Sequence, residues 1–204
     1  MVKTIKGKAA VNIDFETRPL TPEAWVDFEA VMGPQGACYG CWCTHFRMAP
    51  KERREAHPDD RKAFMKQLVV SGPPPGLLGY LDGKPVGWVQ VCPRSNVPRW
   101  NTPRTVSRPL DDHDADDPAV WAISCFFLKS GFRGRGLSHL LLSGAVDFAV
   151  ANGARVVDAC PIEKTKQPKS VGLYVGPLNV FEKYGFKTVA QRKEGRPLMR
   201  YEAG

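Results

Sequence analysis

The sequence predicts one α/β domain built on a mixed, mostly antiparallel sheet with helices on its faces. Three features carry that expectation. Two apolar runs, 77–81 and 85–91, flank Asp82-Gly83, the dipeptide suited to a tight primed hairpin turn. Residues 119–128 are almost continuously apolar, as in a strand covered on both faces. A glycine-rich turn then leads into a stretch whose apolar residues recur at helical spacing. The 204 residues suit a single domain, and 43% hydrophobic residues supply enough material for its core.

The remaining elements follow in chain order. Val11 to Phe15 alternates apolar and polar residues, the mark of a half-buried strand. Thr21-Pro22-Glu23 supplies a cap, a proline at the first helical position and an acid beside it. A helix should run from there to about Met32 and stop at Gly33-Pro34. Gly36 to Met48 is irregular and rich in cysteine. Pro58-Asp59-Asp60 opens a second helix with Phe64, Met65, Leu68 and Val69 on one side, ended by the glycines and prolines of 71–76. After the hairpin, 93–118 is a long loop with a basic half (Arg94, Arg99, Arg104, Arg108) and an acidic half (Asp111 to Asp117). A loop of that length is more often functional than a plain connector. Gly136 to Ala151 reads as a helix, Arg155 to Cys160 as a short strand and Asn179 to Lys183 as a short helix ending at Gly185. Phe186 to Arg192 and Pro197 to Tyr201 close the sheet.

Composition narrows the function classes. Basic residues number 29 and acidic ones 21, a net charge of +8 that favours an anionic partner or serves solubility. The charge is spread, densest at Lys51 to Arg54, which argues against a dedicated nucleic-acid arm. No run approaches the roughly 18 apolar residues of a spanning helix, and the basic start leads into no apolar leader region. No membrane partner is expected, and the location expected is cytoplasmic. There, six cysteines read as thiols or metal ligands and do not demand disulfides.

The chemistry concentrates in Gly131-Phe-Arg-Gly-Arg-Gly-Leu-Ser138, between the apolar strand and the helix. Glycines at 134 and 136 let the backbone curl so that successive N–H groups face one centre, and the helix adds the positive end of its dipole. Such a turn is a pyrophosphate cradle, with Arg133 and Arg135 at its rim. It is neither a Walker A loop nor a complete Gly-x-Gly-x-x-Gly.

The run from Phe132 to Leu142 resembles the acetyl-CoA signature of the GCN5-related N-acetyltransferases, Gln/Arg-x-x-Gly-x-Gly/Ala. Arg133, Gly136 and Ser138 stand at its fixed positions, with Ser138 departing from the Gly/Ala rule. Asn179-Val-Phe-Glu-Lys-Tyr-Gly-Phe186 resembles a second segment of that family at the usual separation. The likeness is strong over 119–192 and rests on element order alone before that. It implies a single N-acetyltransferase domain over 1–204, with acceptor-side elements at 11–76, an acetyl-CoA core at 119–192 and a sheet splayed between its fourth and fifth strands. It implies acetyl-CoA as co-substrate and a small-molecule or peptide amine as acceptor. Backbone groups near Phe126, Phe127 and Leu128 would pair with the pantetheine arm. Arg133, Gly134, Arg135, Gly136, Leu137 and Ser138 would hold the pyrophosphate, and Asn179 and Phe181 would border the cofactor. A homodimer is compatible with these features.

The resemblance also fails at one point. The tyrosine that commonly protonates the departing thiolate would stand at 181, where this chain has Phe181. Tyr174 and Tyr184 are candidate acids in its place, and solvent is the alternative. Glu163 and Asp158 are candidate bases. The main rival signal is Cys38-x2-Cys41, one half of a zinc knuckle, which Cys43 and His45 could complete as a Cys3His set; with the excess positive charge it motivates the alternative of a non-catalytic zinc- or nucleic-acid-binding module. All four fall within eight residues, whereas closed zinc sites draw on two segments. The expectation is therefore no metal, and small apolar cysteines packed around Trp42 beside the cleft. The acidic loop lacks the glycine and closing glutamate of a calcium hand and reads as solvated. His139, on the helix after the turn, reads as packing or solvent-facing.

Overall fold

The computed structural model describes residues 14–163 and 174–204. Its seven-stranded sheet has the order β1-β2-β3-β4-β5-β7-β6. The strands are β1 Phe15–Pro19, β2 Leu77–Leu81, β3 Lys84–Pro93, β4 Val120–Leu128, β5 Val156–Ala159, β6 Lys187–Gln191 and β7 Pro197–Glu202. All neighbours are antiparallel except β4 and β5. The α-helices are α1 Trp25–Met32, α2 Pro50–Glu55, α3 Pro58–Ser71, α4 Leu137–Ala151 and α5 Leu178–Tyr184. No helix among the described residues is long and apolar enough to cross a membrane.

Local chemistry explains most of these elements. Asp82 (φ 49°) and Gly83 (φ 70°) both take the positive φ that a primed turn demands, which joins β2 to β3 directly. Leu137, Leu141, Leu142, Ala145 and Ala149 make one stripe of α4 and pack on Val89, Val91, Ile123, Phe126 and Leu128. The opposite sheet face presents Leu78, Tyr80, Trp88 and Cys125, which α1 and α3 cover with Phe28, Val31, Met65 and Val69. Alternation sorts these sets along β3 and along β4 from Cys125 to Leu128, and a bulge at Ser124, where the register with β3 shifts, returns Ile123 to the α4 face. A third cluster of Cys92, Val97, Trp100, Ala122, Cys160 and Leu198, with Phe46 packed on it, anchors the long loop after β3. On α4, a Cβ at Gly144 would come within 2.3 Å of the Thr17 hydroxyl, so only glycine lets the helix lie this close to β1.

The structure adds to the sequence reading in three places. Among the described residues the opening strand runs from Phe15, paired with Leu81, to Pro19, past the expected end at Phe15; residues 11–13 lie outside the described residues. Residues 50–55 form a short helix that hydropathy does not signal, started by Pro50 and by the Glu52 carboxylate accepting from the Ala49 N–H. The acidic loop is partly paired: Asp114 meets Arg200 at 2.7 Å and Asp117 meets Arg155 at 2.9 Å. The first of those pairs belongs to a buried network. Arg94 and Asp158, both with fully buried side chains, stand 2.5 Å apart, and Arg200 Nε donates to the second oxygen of Asp158 at 2.8 Å. Arg94 also donates to Asn101 and to the Ser107 carbonyl, and its guanidinium lies 4.6 Å above the Trp100 ring. Burial lowers the Arg94 pKa, opposed by Asp158, and the Asp158 hydrogen bond raises that of Arg200. Asp158 is thus a structural anion clamped by two arginines, with no free edge to act as a base.

Candidate active site

The parallel pairing of β4 with β5 runs from Val120↔Val156 to Ile123↔Ala159 and then ends, while β4 continues to Leu128. The two strands therefore splay apart beyond Ile123. Part of the freed edge is used: the Phe126 N–H donates to the Tyr174 carbonyl at 2.8 Å, and Phe126 bridges Val175 in a parallel sense. Gly176 follows at φ +78°, where a Cβ would press 2.6 Å from the Phe181 ring and 3.4 Å from that of Phe126. The sequence expectation left the backbone near 126–128 open to a ligand. Instead Val175 takes the first pairing position, and Arg133 Nε donates to the Leu128 carbonyl at 2.9 Å.

At the end of β4 stands the glycine-rich turn. Gly134 and Gly136 both have φ +77°, and nothing lies within 4 Å of a Cβ built at Gly134. Among the described residues, the Gly134, Arg135 and Gly136 amides donate to no backbone carbonyl. Gly136 caps a 15-residue helix whose first N–H groups add to the same concave, electropositive surface. Arg133 and Arg135 are exposed beside it, Leu137 is buried beneath it and Ser138 is half-buried. Such a surface fits a diphosphate. Asn179 is exposed on the first turn of α5, and Phe181 is fully buried against Phe126 and Phe186, at 5.9 and 5.2 Å between ring centres.

The candidate acids separate. Tyr174 stacks on Phe127 with ring centres 5.5 Å apart and an interplanar angle of 2°, and its hydroxyl lies near enough to Cys38 to feel it electrostatically. Burial, followed by the Cys38 interaction, pushes its pKa up to about 12, so it stays protonated at neutral pH. Tyr184 instead packs on Tyr201 and Phe186, and burial with nearby Asp147 raises its pKa. It belongs to the core beneath α5. Glu163 is exposed, its N–H donating to Gly195 at 2.9 Å in the turn between β6 and β7. His139 is half-buried, and burial lowers its pKa.

The cysteine-rich loop packs against the opposite face of β4. Cys43 and Cys125 bring their sulfurs to 2.9 Å, while Cys38 turns to Tyr174, so the cysteines diverge. Among the described residues, no three Cys, His, Asp or Glu side chains gather as a metal-ligand set. Cys41 is pushed up to about 11 by burial, and Cys43 is also raised, first by its contact with Cys125 and then by burial. Ala37, Tyr39, Trp42 and Cys43 all have positive φ without being glycine, a concentration of strained backbone found mostly at functional sites. Just after them, Arg47 Nε donates to Gln90 at 2.9 Å, and Gln90 donates to Ser124, the first β4 residue past the β5 pairing, at 2.8 Å. This buried relay, the Cys43–Cys125 contact and the Phe127–Tyr174 stack escape sequence reading, because their members lie 34 or more residues apart and share no local pattern.

Comparisons with known proteins agree with this geometry. The model of the acetyltransferase (GNAT) family matches residues 42–176. The structure is similar to that of yncA from Salmonella typhimurium, solved with its cofactor acetyl-CoA, at 17% identity and TM-score 0.52, covering 93% of this chain and 94% of that one. It is similar to the aminoglycoside acetyltransferase AAC(6')-Ib in complex with coenzyme A, at 15% identity and TM-score 0.50, covering 93% and 95%. It is also similar to the GNAT domain of S. lividans PAT, at 14% identity and TM-score 0.51, covering 99% and 97%. No curated protein matches the sequence.

Proposed function

The chain belongs to the acetyltransferase (GNAT) family, and from that membership we propose that it moves an acetyl group from acetyl-CoA to a primary amine. The observation that carries this reading is the placement of the glycine cradle at the end of β4, which splays from β5 beyond Ile123. Acetyl-CoA supplies the activated thioester. The chain supplies the rest. Amides of residues 134–138, with Arg133 and Arg135, hold a diphosphate at the start of α4. The β4 edge beyond Ile123 pairs with an extended ligand once the 174–176 backbone shifts off Phe126, the Tyr174 ring keeping its stack on Phe127. The Phe126 N–H, released from Tyr174, is aimed into the splay, where it can meet oxyanion charge. Tyr174, protonated at neutral pH and stacked on Phe127, delivers a proton to the leaving sulfur. Glu163, exposed at the far wall, is the candidate to take the proton from the amine. The test is direct: incubate the protein with acetyl-CoA and an amine library and follow acetylated products by mass spectrometry. CoA binding without any product would leave a cofactor-binding protein and defeat the transferase reading.

A further inference from the structure

The sheet face opposite α4 carries a second concentration of positive charge, separate from the cradle. Arg99 donates to the His45 carbonyl at 3.1 Å, and its N–H donates to the Phe46 carbonyl at 3.1 Å, so its guanidinium sits beside 45–46. Arg53 and Arg54 lie close enough to lower the pKa of Arg99, behind the effect of burial. Arg47 spends its donors on neutral partners, Gln90, the Asn96 carbonyl and the Cys92 sulfur, which leaves its charge uncancelled. Arg196, across the splay, donates to the Cys160 carbonyl at 3.2 Å. Phe46 packs into the cluster that contains Cys160 and Ala122, which brings the two walls together at the apex where β4 leaves β5. Among the described residues, Arg47, Arg53, Arg99 and Arg196 form no ion pair. Among the described residues, the buried Nε atoms of Arg53 and Arg196 have no hydrogen-bond partner.

Gathering like charges and burying unpaired donors both cost free energy, and an anion bound among them relieves both. His45 does not add to the charge: burial, then Arg53 and Arg99, hold its pKa down to about 4. We infer that the acceptor amine carries an anionic group, a carboxylate or an acid of phosphorus, which Arg53, Arg99 and Arg196 bind at the apex of the splay. This rests on the acetyl-transfer reading and narrows it to an amino-acid-like acceptor class. The same positive field disfavours the ammonium form of the amine, so it helps present the neutral nucleophile and lightens the demand on any one base. A diphosphate on the cradle does not account for these arginines, because the cradle opens α4 and α4 packs on the other face.

The experiment compares matched acceptors on CoA-competent protein: amino acids, their carboxamides and the corresponding decarboxylated amines, with acetylated product read by mass spectrometry. The expected result is a kcat/KM at least about tenfold higher for the carboxylate member of each reactive pair. Arg53→Gln and Arg99→Gln should lower kcat/KM mainly by raising KM, with CoA affinity little changed, and the lysine variants should recover part of the loss. Carboxamides or decarboxylated amines acetylated as well as the acids would overturn the inference. Should no acceptor react, sulfate titrated calorimetrically into CoA-saturated protein decides. Saturable binding lost in the Arg53→Gln/Arg99→Gln double variant supports the anion site, and absent or unaltered binding overturns it. If CoA itself fails to bind while sulfate still depends on Arg53 and Arg99, the acetyl-transfer reading falls and the anion site stands.

Discussion

The two halves of β4 are held in opposite ways. From Val120 to Ile123 the strand is bonded on both edges, to β3 and to β5. Behind that half, Arg94, Asp158 and Arg200 lock β5, β7 and the long loop together through buried charge. Among the described residues, from Ser124 to Leu128 only β3 pairs regularly, and a single bridge from Phe126 to Val175 occupies part of the other edge. The closed half turns polar groups inward and satisfies them within the chain. Around the open half, among the described residues, the 134–136 amides donate to no backbone carbonyl, Arg133 and Arg135 are exposed, and Arg53 and Arg99 form no ion pair, which are the groups the proposed ligands would use. The difference teaches where this domain spends its order. One end of a continuous strand is fixed so that the other can remain incomplete.

The closed half should break most severely. Asp158→Ala leaves Arg94 fully buried without its counterion, and losing one partner of such a pair costs about 3–5 kcal/mol. A chemical denaturation curve should show a midpoint shift of that size. If stability hardly changes while turnover collapses, Asp158 acts as a catalytic group and the division of β4 proposed here is wrong. Next in size is the open half's candidate acid. Tyr174→Phe keeps the stack on Phe127 but removes the proton, and kcat should fall by about a hundredfold, within the usual range for general acid catalysis. CoA affinity should stay near wild type, and Tyr184→Phe should change neither value. Equal kcat in both variants and the wild type would hand protonation to solvent.

The cradle predicts a smaller effect, read as binding. Gly136 has φ +77°, a region a β-branched residue resists, and its amide lies on the proposed phosphate surface. Gly136→Val should weaken CoA by about tenfold or more, roughly 1.4 kcal/mol, in a calorimetric titration. Arg133→Ala should weaken it less, because an exposed charge at the rim is screened by solvent. Wild-type affinity in Gly136→Val would misplace the cradle.

These contrasts also mark what the sequence could disclose. The open half is legible because its chemistry is local: Gly134, Gly136 and the stripe of α4 sit within twenty residues of one another and follow periodic rules. Turn chemistry at Asp82-Gly83 is legible for the same reason. The closed half is not, since Arg94 meets Asp158 across 64 residues and Asp158 meets Arg200 across 42. Read along the chain, Asp158 is one more carboxylate beside a cleft. Only the fold reveals that two arginines already consume it. The short α2 is hidden differently: its six residues bury none of their side chains, so no hydrophobic period marks it, and its start depends on a proline and a cap.

The smallest effect concerns His45, at the seam between the halves, where it contacts Phe46 and receives Arg99 on its carbonyl. Its pKa falls from 6.5 to about 4, through burial first and then Arg53 and Arg99. At pH above 6.5 the imidazole is neutral whether the chain is folded or not, and it contributes no pH dependence. As pH drops below 6.5, the unfolded chain takes a proton that the folded chain refuses, so stability falls. The loss continues to about pH 4, where the folded form is protonated as well and the curve flattens. Because the ring is partly solvent-exposed, screening reduces the effect below what full burial would give. His45→Gln removes this one contribution and leaves the carboxylates untouched. Comparing thermal midpoints of the two proteins from pH 7 to pH 4, the wild type should lose ground against the variant steadily between 6.5 and 4. Parallel curves would mean that His45 accepts its proton normally, and that Arg53 and Arg99 do not press on it as their positions imply.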